Sequence, residues 1–131
     1  MKGVRFAEQL RALLARHPGI RGCALVDLDS GLVWHKEPLE ESHGLWEAAV
    51  DHWRLHRRLS RHFEPLGEAG AIVTYHRGAT MAMLPCVPDP EVILICVAAP
   101  SAVDWKAWQD EARALGHSLL RAIRTSAPRA Q

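Results

Sequence analysis

Asparagine is absent from this chain of 131 residues, so no N-x-S/T acceptor for N-glycosylation exists. Lysine is scarce, and positive charge falls almost wholly on arginine. The net charge is only +1 and the sequence pI about 7.9, which leaves no strong field directed at nucleic acid or an anionic membrane. Cysteine is limited to Cys23, Cys86 and Cys96, an odd number without a C-x-x-C pair. That pattern predicts free thiols. No apolar run approaches the roughly 20 residues of a membrane span. The opening MKGVRFAEQL turns polar too early for a secretory h-region, so a cytoplasmic protein is expected.

Catalytic patterns are equally scarce. No serine has G-x-S-x-G surroundings. Gly67-Glu68-Ala69-Gly70-Ala71 leads into an expected strand, which is the wrong geometry for a phosphate-cradling loop. His52 and His56 at i,i+4 could reach one metal from a single helix face, but no Glu follows His52 and no third ligand has a place. Cys86 lies in a proline-rich loop with no paired base. The carboxylate pairs Asp27/Asp29 and Glu40/Glu41 are explained by turn and first-turn duties. The expectation is therefore a protein that is not an enzyme, with no catalytic residues, no metal and no cofactor.

What is present is patterned apolar structure. Hydrophobic residues make up 48% of the chain and charged residues 24%, the balance of an ordinary globular domain. A chain of this length can bury roughly two-thirds of the surface its unfolded form exposes. Residues 1–123 are expected to form one domain and 124–131 a flexible tail.

Phe6, Leu10, Leu13 and Leu14 recur at helical spacing, and His17-Pro18-Gly19 stops that helix. Ile20–His35 then offers two short apolar runs joined by Asp29, Ser30 and Gly31, a β-hairpin signal. In the first run Cys23 and Leu25 face one side, and Ala24, Val26 and Leu28 the other, as in a strand covered on both faces.

A second helix is predicted to start between Pro38 and Gly44 and to run to Phe63. Trp46, Ala49, Val50 and Trp53 form its narrow stripe, which Leu45, His52, His56, Leu59 and Phe63 widen. So wide a stripe suggests a second contact surface. Ala71–His76 and Thr80–Leu84 around Arg77-Gly78 make a second hairpin. Pro85–Pro90 reads as a stiff loop that cannot continue a ladder. Glu91–Ala98 is the most apolar segment and the expected central strand. Ser101 and Asp104 resemble a shortened capping box ahead of a last helix with Trp105, Trp108, Ala112, Leu115, Leu119 and Ala122 on one stripe.

The main charge feature is Arg54–His62, RLHRRLSRH. Cations suit the end of a helix, so a solvated helix end or an acidic protein partner accounts for it better than nucleic acid does. Trp46, Arg54, Arg57 and Arg61 are the expected partner surface. Trp46 and Trp53 fit either a core or an interface.

With these elements in order α-β-β-α-β-β-β-α, the chain resembles the Roadblock/dynein light chain family, which includes bacterial regulators of small Ras-like GTPases. The resemblance rests on four features: a leading helix ending in PGIRGCALVD, the DSG turn followed by LVW, MAMLP after the second hairpin turn, and a last apolar strand running into a long helix. It spans about residues 4–123.

The resemblance implies an α+β fold in which a five-stranded antiparallel sheet carries one helix on one face and two on the other. It also implies homodimers joined through the third strand and second helix, here Ala71, Ile72, Val73, Thr74 and Tyr75 with Trp53, and a small Ras-like GTPase as partner. The chain departs from the family pattern in its tryptophan- and histidine-rich second helix and in Ser-Ala-Val-Asp before the last helix, where an Asn is common. Longin-like and profilin-like domains share the layout. A small-ligand sensor on the same sheet is the alternative function.

Overall fold

The structure is a computed structural model that describes residues 2–37, 44–88 and 91–126, with side chains over 7–37, 44–88 and 91–121. Five strands, β1 (Ile20–Asp27), β2 (Val33–Glu37), β3 (Ile72–Tyr75), β4 (Thr80–Pro88) and β5 (Glu91–Ala98), form one antiparallel sheet. Their order is β2-β1-β5-β4-β3, which puts the most apolar strand at the centre as its composition predicts. The helices among the described residues are α1 (Lys2–Arg16), α2 (Leu45–Arg58), α3 (Ser60–Phe63) and α4 (Trp105–Ser126).

Strand alternation divides the core into two layers. Cys23, Leu25, Ala82, Leu84, Leu94 and Cys96 point to the face covered by α1 and α4, where Leu10, Leu13, Trp108 and Leu119 meet them. Ala24, Val26, Met83, Ile93 and Ile95 point to the opposite face, against Trp46, Ala49, Val50 and Trp53 of α2. One helix therefore covers one face and two long helices the other, as the resemblance implies. Phe6 and Ala122 lie outside the described side chains.

The first hairpin closes as its turn residues predict. Asp27 Oδ1 accepts the N–H groups of Asp29 and Ser30, Ser30 Oγ accepts that of Leu32, and Gly31 takes a φ of 76°.

Several boundaries differ from expectation, each for a tertiary or local reason. Pro85–Pro90 is not simply a loop: β4 continues through Pro85 to Pro88, paired with β5 across a register shift between Pro85 and Val87. β3 pairs β4 only as far as Met83, so beyond it β4 has a partner on one side, and the missing proline N–H costs no ladder bond on the open side. The second helix does not run unbroken to Phe63. It ends at Arg58, where Leu59 leaves helical geometry (φ −91°, ψ 6°), and α3 and a 3₁₀ turn over Glu64–Leu66 follow.

Its start, Leu45, follows Gly44 at a φ of 76°; Glu40 and Glu41 fall outside the described residues. The cap of α4 is Asp104 alone, whose Oδ1 accepts the N–H groups of Lys106 and Ala107, while Ser101 sits in the left-handed region at a φ of 58°. α4 runs to Ser126.

α4 approaches β4 closely at the register shift. The Cys86 thiol donates to the Ala112 carbonyl at 3.7 Å, and Gly116 packs against the Cys86 backbone. At the other end of this layer α1 and α4 are clasped by Glu111, which lies 2.5 Å from His17 Nε2 and 3.2 Å from Arg16 Nε.

Partial burial pushes the Glu111 carboxyl up, but the hydrogen bonds from His17 and Arg16 outweigh it and leave its pKa below the ordinary 4.5. A carboxyl with a lowered folded pKa stabilises above its unfolded value, and that contribution disappears as pH falls through the folded one. Urea midpoints of the parent and of Glu111→Gln are therefore expected to differ at pH 7 and to draw together as pH falls through the lowered folded value. A gap that stays unchanged as pH falls from 7 through the carboxylate range would refute the clasp as the cause.

Among the described residues no helix is long and apolar enough to cross a membrane.

Candidate interaction surface

α2 is placed by its inner face. Trp46 and Trp53, 4% and 6% exposed, press with Ala49 and Val50 onto the sheet. Trp46 is thereby removed from the expected partner surface: its indole is occupied by the core of its own chain. Helical periodicity identifies a stripe, but it does not say which part of a wide stripe faces inward.

The arginines separate into bound and free. Arg54 wraps back onto the first hairpin, where its Nε donates to the Leu28 carbonyl at 2.9 Å and Nη2 donates to the Leu28 and Asp29 carbonyls. It joins α2 to the turn that Asp27 organises and so acts within the fold. Arg57 Nη1 lies 2.6 Å from Glu91 Oε2 at the start of β5. Arg58 and Arg61 are exposed and make no ion pair among the described residues.

Outside the buried stripe α2 and its C-terminal cap residue Leu59 present a second one. Ala48, His52, Leu55 and Leu59 recur at intervals of four, three and four, with Leu55 45% and Leu59 39% exposed. Leu55 is the residue that sequence reasoning missed, although its spacing to Leu59 is the signal that reveals it.

β3 lies at one edge of the sheet and pairs only with β4. Ile72, Val73 and Thr74 are half-buried and Tyr75 is 76% exposed, with half-buried Ala71 just before the strand. Among the described residues its outer backbone groups have no strand beside them. β2 forms the other edge.

Beyond the break at Leu59 the aromatic rings continue as a ladder. Trp53 stacks on His56 with ring centroids 6.0 Å apart, and His56 on Phe63 at 4.9 Å with planes 6° apart. His56 is thus sandwiched between rings rather than set beside His52 for a shared ion. Among the described residues no three His, Cys, Asp or Glu side chains converge as metal ligands do.

The thiols are all buried. Burial pushes the Cys86 pKa up to about 12, which suppresses thiolate formation. Burial likewise raises Cys96, and the neighbouring Cys23 thiol reinforces this, while the Trp108 indole works in the opposite direction.

The chain matches no family model and no curated protein sequence. Solved structures do share its architecture. A Roadblock/LC7 domain from Streptomyces avermitilis is 19% identical, with a TM-score of 0.66 over 88% of this chain and 91% of that one. The gliding protein MglB from Thermus thermophilus is 17% identical, with a TM-score of 0.72 over 96% and 93% of the two chains. An MglB structure with a tetrameric arrangement, also 17% identical, reaches a TM-score of 0.74 over 97% and 93%. The fold of this chain is that of the Roadblock/LC7 domain.

Proposed function

We propose that this chain is a non-enzymatic, homodimeric adaptor of the Roadblock family that binds a small Ras-like GTPase. The observation that carries the reading is the two-sidedness of α2 beside an open sheet edge. Its inner stripe completes the fold, whereas Leu55 and Leu59 stay exposed on the outer one. An uncovered β3 is a hazard unless another chain covers it. A helix face and a strand edge together can supply the roughly 1,000 Å² a stable interface requires. The likeness to MglB, one structure of which has a tetrameric arrangement, supports self-association. Arg58 and Arg61 then form a basic rim for an acidic partner, and such rims act mainly on association rate.

Light scattering of the parent at micromolar concentration is expected to return a dimer mass, and Leu55→Asp with Leu59→Asp a folded monomer. A monomeric parent would overturn the dimer. For the partner, the GTP-loaded and GDP-loaded forms of Ras-like GTPases from the native cytosol are to be captured separately. Arg58→Glu with Arg61→Glu should slow capture at low salt while leaving the dimer mass unchanged, and the defect should shrink as salt screens it. Capture independent of nucleotide state, with a heat-stable small molecule co-purifying, would favour the sensor alternative instead.

A further inference from the structure

A groove of about 540 Å³ opens where the α2–α3 junction meets the segment before β3 and the paired ends of β4 and β5. One wall is the ring ladder of Trp53, His56 and Phe63, and Ala69 and Pro85 extend the apolar surface. The charged lining is unbalanced. Glu64, Glu68 and Glu91 supply carboxylates, and Arg57, the arginine that lines the groove, is already paired with Glu91. Glu64 and Glu68 make no side-chain hydrogen bond or ion pair among the described residues.

An aromatic ring carries negative potential on its face, and Glu64 and Glu68 line the same groove as these rings, with Arg61 and His62 near Glu64 on its other side. A cation satisfies ring face and carboxylate at once. The apolar surface of Ala69 and Pro85 suits an aliphatic stem carrying that cation, the form of a lysine or arginine side chain. The volume lies within the range of pockets that enclose a ligand of several such groups.

We propose that this groove receives an arginine or lysine side chain presented by an extended basic segment of a protein partner. The site belongs to the single chain and does not depend on the GTPase reading.

The test is an NMR titration of the full chain with acetyl-Gly-Arg-Gly-Arg-Gly-amide. The Trp53 indole and His56 ring signals are expected to move and saturate. Glu64→Gln with Glu68→Gln should weaken binding by about tenfold, and Phe63→Leu, which keeps an apolar side chain but removes the ring, by about fivefold. Melting temperatures should stay close to that of the parent in the glutamate variant, so that weaker binding does not report unfolding.

Equal binding of the glutamate counterpart of the peptide would overturn the proposal, as would variants that bind like the parent. Arginine amide binding as tightly as the peptide would make this a site for a free small cation, and overturn the partner segment. A fall in light-scattering mass in the glutamate variant would assign the groove to a second copy of the chain, and also overturn it. Loss of GTPase capture with peptide binding intact would instead refute only the proposed function.

Discussion

Gly116→Ala is expected to destabilise the protein by about 3 kcal/mol, the cost of overpacking a site that cannot yield. In an exposed helix interior the same change stabilises by about 1 kcal/mol, because glycine loses the most backbone freedom on folding. The sign reverses here because of what lies opposite. A Cβ built on Gly116 overlaps the Cys86 carbonyl oxygen and falls 2.8 Å from its carbon. Those are backbone atoms of β4, held on one side by the ladder to β5, so no side chain can swing away. Either α4 lifts from the sheet or β4 gives up its register shift. Denaturant midpoints decide the matter. A variant as stable as the parent would show that α4 does not cross β4 so closely.

Trp108→Ala should cost about 3–5 kcal/mol, the range for emptying a buried large aromatic site. Trp108 is fully buried between α4 and the sheet and meets Trp105 edge to face, with ring centroids 5.1 Å apart at 89°. Domains of this size have roughly 5–15 kcal/mol in all, so the variant should lie near the edge of unfolding at 37 °C. Trp108→Phe leaves a ring in place and should keep most of the lost stability. Near-equal chemical denaturation of the alanine variant and the parent would remove Trp108 from the core.

What could be read from the chain and what could not have a common physical basis. Strand faces were legible in β1 and β5 because side-chain direction along a strand alternates whatever surrounds it: Cys23 and Leu25 divide from Ala24 and Val26 as their positions require. The turn chemistry of Asp27, Ser30 and Gly31 was legible for the same local reason.

The strand through Pro85 was not, since the harm a proline does depends on how far β3 reaches along the neighbouring strand. Arg54 could not be assigned either. Its acceptors, the carbonyls of Leu28 and Asp29, lie 26 and 25 residues earlier and come within reach only when α2 docks. The break at Leu59 is a local event, but its consequence is a groove assembled from Phe63, Glu64, Pro85 and Glu91 of separate elements.

The sheet also acts as a partition between two chemically unlike compartments. Every cysteine belongs to the layer beneath α1 and α4, and none faces α2. A thiol reagent therefore clocks the opening of one layer and is blind to the other. Opening of α2 against the sheet exposes no thiol, but it uncovers the thioethers of Met83 and Met81, which lie in that layer, so methionine oxidation reports on the side that thiol reagents miss.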